Sequence, residues 1–108
     1  MDLDKLAAAA DSFAAQHDDP SAVPLHHWRL FIEVCRLDGR CTYRELQQRL
    51  NLNNSSVSRT VNALGEQHRT GRSGLGLLHT YPDPEEGRRY CVALSPRGHA
   101  LLRQLQAI

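Results

Sequence analysis

The residues with most chemistry to offer lie in one short run, Asn53 to Leu64, which reads NNSSVSRTVNAL. Serine, asparagine and a single arginine supply compact hydrogen-bonding groups and one guanidinium fork. Such groups read base edges in the major groove of duplex DNA. On a helix, Val57, Val61 and Leu64 fall on one apolar stripe, and Asn54, Ser55, Ser58, Arg59 and Asn62 face outward. Asn53 or Asn54 can cap the first turn. An ordinary surface helix with a polar face shares this pattern, so the neighbouring elements must decide between the two.

Other chemistries find little support. Serines and histidines are scattered, so no nucleophile, base and orienting group form a set, and the glycine-rich residues 71 to 76 lack the lysine of a phosphate-binding loop. The carboxylates pair only at turns. These features predict a chain that is not an enzyme and needs no cofactor. His26 and His27 have no partner at i+3 or i+4, which reads as a solvated pair rather than a metal site. Cys35, Cys41 and Cys91 are odd in number and lack CxxC spacing, so reduced thiols are expected.

The chain has 108 residues, enough for one core, and its 41% hydrophobic and 23% charged content is that of a globular protein. It shows no apolar run of the roughly 20 residues that span a bilayer and no signal-peptide pattern, so a cytoplasmic location without membrane contact is expected. Net charge is only +1, but it is segregated. Residues 1–21 carry Asp2, Asp4, Asp11, Asp18 and Asp19 against Lys5, whereas every basic residue beyond them is an arginine. That division predicts two regions: 1–21, an N-terminal helix and linker suited to dimerisation, and 22–108, a DNA-binding unit with a C-terminal helix.

Periodicity supplies the elements. Leu3, Leu6, Ala10 and Phe13 put a narrow, alanine-rich stripe on a helix over Asp4 to His17, suited to close packing on the domain or on a second subunit. Pro24 opens a second helix to Leu37, with Leu25, Trp28, Phe31, Ile32 and Cys35 expected as its buried face. Thr42 and Glu45 form a capping box for a short third helix ending near Leu50, with Leu46 and Leu50 inward. Asn51, Leu52 and Asn53 then turn the chain into the polar-faced helix, which is expected over 54–67 before a glycine-rich loop that carries Arg69 and Arg72. A capped helix, a tight turn and a polar-faced helix together read as helix-turn-helix. Leu77–Tyr81 and Arg89–Ser95 are strand candidates around the turn-forming PDPEEGR, with Tyr90, Val92 and Leu94 expected inward. Ser95 and Pro96 open the last helix, whose apolar side holds Leu101, Leu102 and Leu105. The fold class is mostly α with a small β-hairpin wing (α+β), a winged helix-turn-helix with extra N-terminal and C-terminal helices.

Two separated segments, TYRELQQRLNLNNSSVSRTVNAL and DPEEGRRYCVALSPRGHALL, then carry a closer likeness. Over about residues 25 to 103 the chain resembles the DNA-binding core of the MarR family of bacterial transcription regulators. The family's wing shows an Asp, any residue and an Arg, followed by a strand ending in Leu and Thr and a glycine-containing helix start. Glu86, Gly87 and Arg88 occupy the first element here, and Val92, Leu94, Ser95 and Gly98 the second, with Glu86 in place of Asp and Ser95 in place of Thr. The resemblance implies that Arg88 enters the minor groove with Glu86 fixing its direction. It also implies a homodimer built through the terminal helices, with an effector ligand undefined. Residues 65–76 are longer than the family's usual connection, which displaces the wing relative to the pattern.

The expected partner is double-stranded DNA, bound by a dimeric repressor. Ser55, Ser56 and Arg59 are expected at base edges, with Asn54, Ser58 and Asn62 at bases or phosphates. Tyr43, Arg44, Arg69, Arg72 and Arg89 join Arg88 as further DNA contacts. Two alternatives stand beside this reading. One is a winged helix used as a protein-interaction module, for example a phage or plasmid protein that binds a host factor. The other is a redox-sensing regulator that uses Cys35, Cys41 or Cys91, opposed by the placement of Cys35 and Cys91 on core elements.

Overall fold

The computed structural model describes residues 1–65 and 74–108. Arg69 and Arg72, and the last residues of the helix expected over 54–67, lie outside the described residues. Five helices and three strands follow in the order α1 (Leu3–Ala14), α2 (Leu25–Arg36), β1 (Arg40–Thr42), α3 (Tyr43–Leu50), α4 (Asn54–Leu64), β2 (Leu78–Pro82), β3 (Tyr90–Leu94) and α5 (Pro96–Gln106). The expected helix-turn-helix and hairpin are both present.

Local chemistry accounts for most boundaries. Asp2 caps α1 by accepting from the Lys5 amide. At α3 the capping box forms, with the Glu45 amide donating to Thr42 Oγ1 at 3.1 Å and the Thr42 amide donating to Glu45 Oε1 at 3.0 Å. A cap of this kind is worth about 1 kcal/mol. Asn51 ends α3 in the left-handed region at φ 54°, and Asn53 caps α4 by accepting from the Ser56 amide at 2.8 Å. Asp38 and Gly39, at φ 62° and 84°, reverse the chain between α2 and β1. α4 stops at Leu64, earlier than its polar pattern suggests, because Gly65 turns extended and bridges to Leu78.

β1 is an addition to the expected hairpin. Its three residues are too few to show alternation, yet they pair with β3 and give an antiparallel sheet of order β1-β3-β2. β3 is therefore the central strand, paired on both edges. Val92 and Leu94 are buried as expected, but Cys91 is buried too, opposite Thr42 on one side and Tyr81 on the other, and Tyr90 is 55% exposed.

The core gathers Leu30, Phe31 and Val34 of α2, Leu46 and Leu50 of α3, Val57, Val61 and Leu64 of α4, and Leu77, Leu78, Val92, Leu94 and Leu101. The buried face of α2 is rotated from the expected one. Leu25 is 71% exposed, and Trp28, Ile32 and Cys35 are only partly covered. The reason is that α2 packs against α3, α4, β1 and β3 at once, which brings Leu30, Glu33 and Val34 inward. Buried Glu33 is satisfied by Arg36 and Arg49, each at 3.2 Å, so it ties α2 to α3.

α1 sits on the body through its last turns. Phe13 packs edge-on against Trp28 at 4.9 Å and tilts against Phe31 at 5.5 Å. Leu3 and Leu6 of the same stripe remain exposed. His27 is half-buried rather than solvated: its Nδ1 lies 3.4 Å from His17 Nε2, and the two rings stack. Burial first, then the neighbouring His26 and His17, push its pKa down from 6.5 to about 4. A histidine that takes up its proton less readily when folded than when unfolded contributes stability above pH 6.5, and that contribution is lost as pH falls toward 4. The expected outcome in thermal melts is a decline in Tm across this window that is shallower in His27→Gln; parallel pH profiles for the two proteins would contradict the burial account.

Candidate nucleic-acid interface

Helix α4 is held from one side and open on the other. Val57, Val61 and Leu64 are fully buried, as their spacing predicts. Thr60 is buried with them because its hydroxyl donates to the Ser56 carbonyl at 2.8 Å. Asn54, Ser55 and Arg59 are exposed, and Ser56, Ser58 and Asn62 are half-exposed. The polar face is thus not sealed beneath the other described residues.

The flanks of this face differ. Toward the hairpin, Asn54 and Ser58 line a cleft of about 460 Å³ together with Tyr43, Arg44, Arg88 and Arg89. Six of the expected contact residues, from α3, α4 and the wing, therefore converge on one concavity. Toward α2, Ser56 and Arg59 line a second cleft of about 440 Å³ beside His26, His27 and Leu52. Ser55 and Asn62 lie in neither cleft.

Electrostatics sharpen the first cleft. Among the described residues, Arg44 and Arg88 of this cleft form no ion pair, nor does Arg59 beside the second. Among the described residues no ion pair joins Glu86 to Arg88, the residue that the wing pattern has it direct. The Glu86 carboxylate instead meets Arg89 Nε at 3.2 Å, a pairing that the tight turn favours by bonding the Arg89 amide to the Glu86 carbonyl at 2.9 Å. Arg89 is therefore partly neutralised and Arg88 is left as the wing's unpaired cation among the described residues.

Three lining residues were not anticipated: Thr42, Gln47 and Tyr90. Gln47 lies one helical turn beyond Tyr43, and that spacing alone places both on one face of α3. Tyr90 was assigned to the core by alternation, but its ring sits 6.4 Å from that of Tyr43. Burial, then Tyr90, raise the pKa of Tyr43, so its phenol stays protonated and can donate to an anionic oxygen. Burial acts on the thiols in the same direction. Burial pushes Cys35 up to about 11 and Cys41 up to about 12, and raises Cys91, which leaves each a poor thiolate near neutral pH.

Among the described residues no group of three or more histidine, cysteine or acidic side chains is placed to hold a metal ion, and no helix is long and apolar enough to cross a membrane.

Comparison with known proteins bears on this geometry. Residues 26–98 match the model of the family described as winged helix DNA-binding domain. Among curated proteins no sequence matches significantly. Among solved structures, a cysteine-to-serine mutant of MarR from E. coli, complexed with operator DNA, superposes with a TM-score of 0.65 at 17% identity, over 93% of this chain and 62% of that one. The PcaV transcriptional regulator from Streptomyces coelicolor, in complex with its natural ligand, gives 0.60 at 25% identity, over 79% of this chain and 54% of that one. A probable transcriptional regulator from Pseudomonas aeruginosa gives 0.64 at 23% identity, over 96% and 70%. The chain thus spans less than two thirds of the length of the first two.

Proposed function

The chain belongs to the winged helix DNA-binding domain family, and from that premise we propose that it is a sequence-specific transcription regulator of double-stranded DNA. In this reading it acts as a dimeric repressor rather than as an enzyme. α4 enters the major groove, where Ser55, Ser56 and Arg59 meet base edges. Tyr43 and Arg44 hold phosphates, and the wing sets Arg88 in the minor groove or on the backbone, where negative potential attracts a guanidinium. The observation that carries the reading is the cleft between α3, α4 and the wing, in which Arg44 and Arg88 converge beside an exposed row of hydrogen-bonding side chains. The E. coli MarR neighbour, complexed with operator DNA, supports the same assignment.

Selection of bound duplexes from a random pool tests it. The reading expects a defined motif, bound more tightly than a scrambled duplex, with an affinity that falls steeply as salt rises. Binding that does not distinguish the two duplexes would remove sequence-specific regulation.

The terminal helices support the dimer of this reading. Leu3 and Leu6 on α1 are exposed, and Met1, Leu6, Ala9, Leu105 and Ile108 line a shallow groove where α1 meets α5. Such a patch is covered in a homodimer. The Leu6→Glu/Leu105→Glu double variant is expected to sediment as a monomer and to bind a single half-site only weakly. A wild-type chain that sediments as a monomer at the concentrations where it binds its motif would contradict the dimer.

A further inference from the structure

One side-chain hydrogen bond ties the two helices of the reading unit at their near ends: Gln47 Nε2 on α3 donates to Asn54 Oδ1 on α4, at 3.1 Å. Asn54 is the first residue of α4, directly after its cap, and the leading residues of a recognition helix are those that reach base edges. Asn54 is exposed and Gln47 half-exposed, and both line the cleft shared with the wing.

An asparagine amide carries its acceptor and its donor on opposite arms of one planar group. With both arms free it reads adenine, accepting from N6 while donating to N7. In this chain the acceptor arm is engaged by Gln47, so the arm turned away from α3 is the NH2 group. Outward donors also face the negative potential of a duplex, so bound DNA reinforces this polarity.

We propose that Gln47 is a specificity-determining residue that acts through Asn54. By holding Oδ1 inward it makes Asn54 a pure donor toward DNA. This helix position then selects a base edge that displays acceptors, guanine O6 and N7 or thymine O4. Cytosine, whose edge shows only an amino group, is disfavoured most, and adenine is disfavoured because it keeps a single acceptor, N7, beside an amino group left without a partner. Gln47 is a positioning residue in this arrangement and need not touch the base itself. The proposal rests on the DNA-reading role of this face and specifies what one part of it reads.

The test is selection from a random duplex pool with the wild-type chain and three variants. Asn54→Ala erases the preference at one base pair and so identifies the position. Gln47→Glu places an acceptor-only group on α3. It forces Asn54 to donate inward and turn Oδ1 outward, and the preferred base at that position is expected to change from guanine or thymine to adenine or cytosine, by roughly tenfold. Gln47→Ala releases the amide, and adenine is expected to rise to parity there. The added carboxylate of Gln47→Glu repels phosphates and weakens all sequences alike, which changes affinity but not the identity of the favoured base. If its binding is too weak to select a motif, the neutral Gln47→Ala variant decides. An unchanged base preference in the Gln47 variants, beside an intact wild-type motif, would overturn the role of Gln47 and leave DNA recognition standing. A wild-type chain that selects no motif would overturn both.

Discussion

Arg59→Ala is expected to weaken binding to the selected duplex by about 1–3 kcal/mol, roughly 5- to 150-fold in Kd, and to relax the preference at one base pair. Arg59 lies one turn beyond Ser55 on the exposed side of α4 and forms no ion pair among the described residues. A guanidinium in that setting can donate both of its forked N–H groups to guanine O6 and N7, a contact that no shorter side chain on this face reproduces. The core-facing Val57 and Val61 fix the helix that carries it. Arg88→Ala provides the contrast. A cation at the tip of the hairpin acts on backbone potential, so its loss is expected to weaken matched and scrambled duplexes together and to flatten the salt dependence. Titration of both duplexes with both variants separates the two roles. Equal losses on the two duplexes for Arg59→Ala would remove Arg59 from the readers.

The second large effect falls on stability. A Cβ built at Gly98 would lie 2.1 Å from the Leu77 carbonyl oxygen, a backbone atom that cannot simply swing away. That oxygen accepts the Ser95 amide at 3.0 Å, and Ser95 Oγ in turn accepts the Gly98 amide at 3.0 Å. The first turn of α5 is therefore seated directly on the residue that leads into β2. Gly98→Ala must open this seat, at a cost of about 3 kcal/mol, the upper part of the range for overpacking. It disturbs the junction of α5 with the sheet that carries the wing. Gly87→Ala is the internal control, because a Cβ there meets nothing within 4 Å. Urea unfolding is expected to show a markedly lower midpoint for Gly98→Ala and an unchanged one for Gly87→Ala. Equal midpoints would mean that α5 can shift without loss.

These two positions also mark what was legible in the sequence. Elements announced by capping chemistry or by long periodicity were readable: the Thr42 and Glu45 box, the Asn53 cap, the Val57, Val61 and Leu64 stripe, and the Ser95 and Pro96 helix start. Gly98 was readable only as part of a wing pattern, and its physical reason, the approach of the Leu77 carbonyl, is a long-range fact. Whatever depended on which neighbour covers which face was hidden. The inner face of α2 rotated because four elements press on it, and Tyr90, on the same face of β3 as Val92 and Leu94, is left exposed at the strand's first position. Ion-pair choice was hidden for the same reason. Glu86 and Arg88 share the hairpin turn, but the turn's geometry hands the carboxylate to Arg89. The exposed face of α4 could be listed from spacing alone. That its hydrogen bond to Gln47 fixes the orientation of Asn54 could not, because an i-to-i+7 link across a turn has no signature in either helix.

The proposed placement of α4 in the major groove, and of the hairpin in the minor groove or on the backbone, is tested most directly by methylation interference on the selected duplex. Methyl groups at guanine N7 block the major groove, and those at adenine N3 block the minor groove. Interference by the first is expected in two half-sites about 10 base pairs apart, with interference by the second on their flanks, lost in Arg88→Ala. Strong binding that is indifferent to methylation at guanine N7 would contradict the account.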